Sequence, residues 1–210
     1  MINKELATKV LNKCLTTGAD FAEIFYEVKK TNVISMVSKM IKNSDTSVIT
    51  GVGIRILKDL QEVYGYTNEV DEESMMALAS RLASSYNCEP LGISFELKEV
   101  ETPKMTTISR YSKDIANTEK VNYLAVISDS AYAYDSKIIQ VMANLTDETQ
   151  EVTIFNTNGL MRSDVRNHQR ITAQAVAKDG ERMEAYSEQY GGNFGVEYFG
   201  PAAVSSFASA

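Results

Sequence analysis

The sequence predicts an α+β fold of antiparallel sheets covered by helices, arranged as two sub-domains. Three observations carry that expectation. Short period-two stretches alternate with three amphipathic helical stretches, brief polar turns separate the strands, and a polar run near residue 101 divides the chain. At 210 residues, with 44% hydrophobic and 23% charged residues, the chain has the size and composition for a buried core.

Asn3 caps a first helix whose Leu6, Val10, Leu11 and Leu15 share one face, with Gly18 as its stop. From Asp20 to Lys29 the period changes to two, with Phe21, Glu23, Phe25 and Glu27 opposite Ala22, Ile24, Tyr26 and Val28. Thr31 to Ile41 predicts a second strand, Asn43-Ser44-Asp45 a turn, Ser47 to Leu57 a third strand and Glu62 to Thr67 a fourth. A helix over Asp71 to Tyr86 follows, with Met75, Leu78, Ala79, Leu82 and Ala83 inward and Asp71, Glu72 and Glu73 at its positive end. These elements and one extended segment to Val100 make a first domain over residues 1–100.

Residues 101–117, with Pro103, predict a linker. The second domain, 118–199, starts with a helix near Thr118 that turns Val121, Leu124, Ala125 and Ser128 or Ala131 inward. Strands follow at Ile138–Leu145 and Glu151–Asn156, joined across Asp147-Glu148-Thr149. Asn158-Gly159 is the strongest hairpin signal. Leu160 to Arg166, Arg170 to Ala177 and Arg182 to Ser187 complete the sheet, the last two turning at Asp179-Gly180. Residues 200–210 read as a helix cut short or a frayed tail.

The net charge of −7 and the scattered Lys and Arg residues argue against nucleic acid as a partner. No apolar run has the length of a membrane span and no signal peptide is legible, so the expectation is a cytoplasmic protein without a membrane partner. Cys14 and Cys88 lack CxxC spacing, and two unpaired structural cysteines are expected over a redox pair.

Candidate chemistry is sparse. Glu23 and Glu27, and the acids at Asp71 to Glu73, are better explained by a solvated strand face and a helix start than by acid/base work. His168, the only histidine, sits between Arg166 and Arg170 in an expected exposed loop, without companions for metal ligation or a triad. No catalytic or metal-binding residue is therefore assigned. Gly51-Val52-Gly53-Ile54-Arg55 lacks the third glycine and the helix of a dinucleotide loop. With Tyr64-Gly65-Tyr66-Thr67 it reads either as a packed hairpin with glycines at bends or as an edge that holds an extended peptide. Gly51, Gly53, Arg55, Tyr64, Gly65, Tyr66 and Thr67 are the candidate peptide-groove residues.

Those two segments, in this order and at this spacing, resemble the first domain of the TldD/PmbA family, zinc metallopeptidases once called modulators of DNA gyrase. Asn158-Gly159-Leu160, Asp164-Val165-Arg166 and the stretch of Gly191, Gly192, Phe194, Gly195, Glu197 and Tyr198 resemble its second domain. The resemblance implies a peptidase that takes unfolded peptides and works as a homo- or heterodimer with a homologous subunit. It also implies zinc bound by an HExxxH-type helix in a carboxy-terminal domain, which this sequence lacks. The chain is thus expected to be an amino-terminal, non-catalytic portion that shapes the substrate chamber and subunit contact and carries no cofactor itself. A natural truncation and an expressed fragment fit that expectation equally. The alternative is a stand-alone binding or assembly module that partners a full-length homologue.

Overall fold

A computed structural model describes residues 2–104 and 106–199, so the tail expected at 200–210 lies outside the described residues. The fold is α+β. Its elements are α1 (Lys4–Cys14), β1 (Phe21–Val37), β2 (Met40–Lys58), β3 (Gln61–Thr67), α2 (Glu72–Ala83), β4 (Lys98–Glu99), α3 (Asn117–Tyr134), β5 (Ile138–Asn156), β6 (Leu160–Asp179) and β7 (Arg182–Gly192). The strands follow the order β3-β2-β1-β5-β6-β4, with β7 also paired to β6. The β2–β3 and β6–β7 ladders are antiparallel, and the short β4 runs parallel to β6.

Two compact units emerge, and each is discontinuous in sequence. One comprises residues 1–29, 49–103 and 150–165, the other residues 30–48, 104–149 and 166–210. The crossing at Pro103 falls in the expected linker, whereas the others fall inside β1, β2, β5 and β6. Contiguous domains over 1–100 and 118–199 therefore differ from the compact units, because single long strands supply residues to both.

The strands are longer than expected because three stretches of turn-like composition lie inside them. Thr31 to Val37 continues β1, and Asn43-Ser44-Asp45 lies within β2. The chain reverses instead at Ser38 and Lys39, both with positive φ (46° and 66°), where Ser38 N–H donates to the Val141 carbonyl at 2.9 Å. Asp147-Glu148-Thr149 lies inside β5, with Asp147 and Thr149 buried. His168 stands in the middle of β6, exposed as expected but on a strand rather than a loop. The reversal at Asn158-Gly159 is a three-residue loop, Thr157 to Gly159, with Gly159 at φ 84°; Asn156 Oδ1 accepts from the N–H groups of Asn158 and Leu160.

In the first unit, Asn3 Oδ1 caps α1 by accepting the Leu6 N–H at 2.8 Å, and Asp71 caps α2 through the Ser74 N–H at 2.8 Å. All five residues expected on the inner face of α2 are buried. They pack with Val10 and Leu11 of α1, Ala22 and Ile24 of β1, Ile54 and Ile56 of β2, and Phe155 of β5. Cys14 is buried in this core, where desolvation pushes its thiol up to about 12, and Cys88 is exposed; both are free thiols.

In the second unit α3 packs Leu124 and Ile127 against Ile34, Met36, Ala143, Leu145 and Ile171. The same helix face buries Lys120, which the apolar periodicity passed over. Its Nζ lies 2.8 Å from Asp147 Oδ2, and both side chains are about 1% exposed. Asn32 Nδ2 donates to the other carboxylate oxygen at 2.7 Å, and Thr46 Oγ1 donates to Asn32 Oδ1 at 2.7 Å. Burial depresses the Lys120 ammonium from its ordinary pKa, opposed by the attraction of Asp147.

Lys120→Ala leaves Asp147 buried without its cation, and urea denaturation of the chain should report a loss of about 3–5 kcal/mol. Lys137→Ala removes the exposed pair with Asp179 and should leave the midpoint almost unchanged. The Asp71 carboxyl is held below its ordinary pKa chiefly by the Ser74 N–H. A depressed folded-state pKa contributes stability above the unfolded carboxyl value and loses it as pH falls through the folded one. The melting-temperature gap between the parent chain and Asp71→Ala should therefore be full at neutral pH and close on acidification.

Candidate functional site at the β2–β3 hairpin

The seven candidate residues come together on one hairpin but divide between its two faces. The antiparallel register places Gly53 opposite Tyr66, Ile54 opposite Gly65, Arg55 opposite Tyr64 and Val52 opposite Thr67. Side chains alternate across a strand, so Gly53, Arg55, Tyr64 and Tyr66 share the face turned away from α1 and α2. Gly65 and Thr67 belong to the core-facing side. Gly51 lies near Asn68 and the Thr67 carbonyl.

Each central glycine answers to a close approach. A Cβ on Gly65 would stand 2.9 Å from Leu78 Cδ1 and 3.2 Å from Leu82 Cδ2, so this position lets α2 settle onto the sheet. A Cβ on Gly53 would stand 2.6 Å from Tyr64 Oη. The Tyr64 phenol thus lies across Gly53 and fills the space that an open floor would have left. Tyr64 and Tyr66 remain 58% and 71% exposed, a pair of aromatic rings presented to solvent on the hairpin.

Arg55 organises the outward face. Its Nη2 donates to Glu23 Oε1 at 3.0 Å, its Nη1 lies 3.7 Å from Glu62 Oε2, and its guanidinium sits 5.9 Å from the centroid of the Phe21 ring. The Arg55 Nε is buried and has no hydrogen-bond partner. Glu27, farther along β1, accepts from Gln150. Glu23 and Glu27 are thus half-buried and held by Arg55 and Gln150, rather than lying on the solvated face that the alternation suggested. Beyond β3 no further strand is paired among the described residues, so alternate main-chain N–H and C=O groups of β3 point off the edge. Chemically, the hairpin offers an open strand edge, two exposed tyrosines and a neutralised arginine.

Zinc sites take three or four ligands from His, Cys and carboxylates. Among the described residues no group of three or more His, Cys, Asp or Glu side chains could hold a metal. His168 is exposed and flanked on its own strand face by Arg166 and Arg170, which oppose a cation. The described residues do not fit a zinc centre. Also among the described residues, no helix is long and apolar enough to cross a membrane.

Residues 22–85 match the model of the PmbA/TldA metallopeptidase domain 1, and residues 110–208 match that of the metallopeptidase central domain. The chain belongs to the PmbA/TldD metallopeptidase family. It is 22% identical over 186 residues to the metalloprotease TldD homolog of Haemophilus influenzae, an alignment covering 86% of this chain and 38% of that relative. A solved Thermotoga maritima structure, described under a DNA gyrase modulator name, shares the fold at TM-score 0.75 and 16% identity, covering 98% of this chain and 46% of its own. TldE from Thermococcus kodakarensis shares it at TM-score 0.61 and 14% identity, covering 98% and 44%. The chain thus spans less than half the length of these PmbA/TldD relatives.

The two hairpin segments are legible in the sequence but what their glycines accommodate is not, because neither the Tyr64 ring nor the leucines of α2 are near Gly53 and Gly65 in sequence. Nor does the sequence single out the outer face of β5–β7 around His168. Gly65→Val should drive a side chain into Leu78 and Leu82 and cost about 1–3 kcal/mol in chemical denaturation. Tyr66→Ser, on the exposed face, should leave stability within about 0.5 kcal/mol of the parent.

Proposed function

We propose that this chain supplies the non-catalytic first and central domains of a cytoplasmic PmbA/TldD-type metallopeptidase assembly. In this role it shapes the chamber that receives unfolded peptide and contacts a homologous subunit, while zinc and the general base come from a region it does not contain. The observation that carries the proposal is the match to the family's first and central domains, alongside a single histidine that has no ligand companions among the described residues. The unpaired edge of β3 supports the peptide role. Strand addition there gives main-chain hydrogen bonds to any extended sequence, which suits a substrate defined by being unfolded rather than by its side chains. Tyr64 and Tyr66 would flank that strand with aromatic surface.

Metal analysis of the purified chain and a digestion assay on an unfolded peptide test the proposal together. The expected result is no stoichiometric zinc, no cleavage by the chain alone, and amide shifts at Tyr64 to Thr67 on adding peptide. One zinc per chain with hydrolysis overturns it. Co-purification with a longer, metal-containing homologue whose cleavage it leaves unaltered would instead favour the assembly-module alternative.

A further inference from the structure

On the outer face of β5, β6 and β7, within the second unit, lies a cleft of about 610 Å³ lined by Thr146, Glu148, His168, Arg170, Gln189 and the backbone of Gly191. Its geometry follows from the strand register. Asn144 Nδ2 donates to Thr172 Oγ1, and Thr149 Oγ1 donates to Asn167 Oδ1. That register sets Glu148 opposite His168 and Thr146 opposite Arg170, while Gly191 pairs with Arg170 on the other side. The floor stays bare at Gly191 because a Cβ there would stand 2.4 Å from the Gln169 carbonyl oxygen.

The polar groups in this cleft are unevenly satisfied. Arg170 donates through Nη2 to Gln189, a neutral amide, and is in no ion pair among the described residues. Other arginines of this acidic chain do find carboxylates, as Arg55 does with Glu23, Arg110 with Glu119 and Arg182 with Glu184. The His168 imidazole has neither a hydrogen bond nor an ion pair among the described residues, and it stands two residues from Arg170 on the same strand face. A guanidinium presents a planar fork of donors matched to a carboxylate, and a neighbouring imidazole N–H adds another. Glu148 on the facing strand is engaged elsewhere in the chain, and its negative charge disfavours a dianion such as phosphate.

We infer that this cleft is a subsite for a peptide carboxylate, with Arg170 and His168 as its donors and Glu148 and Gln189 facing the adjoining amide. The inference deepens the peptide-chamber proposal and rests on it for the identity of the ligand. The carboxylate could be a chain terminus or an acidic side chain, and the two sources are separable by experiment.

Amide chemical-shift mapping on the full chain, titrated with an acetylated alanine peptide bearing a free carboxy terminus, tests the subsite. Shifts centred on Thr146–Glu148, His168–Arg170 and Gln189–Gly192 are expected. Arg170→Gln should weaken the titration roughly tenfold, the worth of a charge-assisted hydrogen bond, with the spectrum of the free variant otherwise unchanged. Loss of the shifts on amidating the terminus supports a terminal carboxylate, and their return with an internal glutamate in the amidated peptide supports a side-chain carboxylate. Equal binding of the amidated alanine peptide, or an Arg170→Gln titration identical to the parent, overturns the subsite. So does a response to inorganic phosphate matching that to the peptide. Shifts confined to Tyr64–Thr67 overturn the subsite while sustaining the edge-strand role, and shifts at neither place overturn both.

Discussion

The second unit is organised around a charge that water cannot reach. An ammonium and a carboxylate taken out of water lose several kcal/mol of hydration each, and only close pairing with further hydrogen bonds restores it. Lys120 and Asp147 meet that condition with an ion contact of 2.8 Å and Asn32 on the second carboxylate oxygen. Asn32 in turn accepts from Thr46, so residues of β1, β2, β5 and α3 are tied through side chains as well as through core packing. An apolar contact tolerates sliding by a fraction of an ångström, whereas this arrangement tolerates little. It fixes the rotation of α3 about its axis, because no other rotation brings residue 120 to Asp147.

The same cluster explains why strand boundaries were hard to read while helices were not. Helix signals are local. Asn3 and Asp71 cap with their own side chains, and the five buried residues of α2 announce themselves by spacing. The polar residues of Asp147-Glu148-Thr149 have the composition of a turn, yet Asp147 is polar because it answers Lys120, and Thr149 because it serves Ser112 and Asn167. Composition reports that a residue is polar and leaves open whether water or a buried partner satisfies it. The actual reversal at Ser38-Lys39 needs positive φ at two residues that have no special tolerance for it. Its cause is tertiary, and the Val141 carbonyl that receives the Ser38 N–H is far away in sequence.

The hairpin site shows a parallel split between what a motif announces and what it does. The two segments were legible as a unit, and the structure pairs them residue by residue. Their glycines nonetheless face opposite ways, one admitting α2 and the other lying under Tyr64. A spacing of two along a strand would have placed both glycines of the first segment on one surface, but the glycine of the second segment is on the other side of the sheet. The surface open to solvent is consequently aromatic and guanidinium rather than a bare glycine floor, and any strand that docks must use the β3 edge.

The glycine-rich stretch after β7 makes the same point for the second unit. The Phe194 carbonyl accepts from both Asn167 Nδ2 and Gln169 Nε2, at 2.7 Å each. The Glu197 carboxylate accepts the N–H groups of Ser109 and Arg110 at 3.0 and 3.1 Å. Burial raises that carboxyl, but the hydrogen bonds together outweigh it and hold its pKa below the ordinary value. A Cβ on Gly195 would lie 2.1 Å from Glu197 Oε2, so glycine is what allows the carboxylate to turn back on the chain. Phe194 and Phe199 meet edge to face, ring centroids 5.6 Å apart, against the core formed with Leu124 and Ile127. The Phe194 carbonyl, the Glu197 carboxylate and the Phe199 ring thus fasten the exit of β7 to β6, to the segment before α3 and to the core under α3. Within this stretch, Phe194, Gly195 and Glu197 of the family-like pattern therefore act as fastenings. Groups without such duties are where ligand binding can be sought, and in the second unit Arg170 and His168 stand out on that criterion.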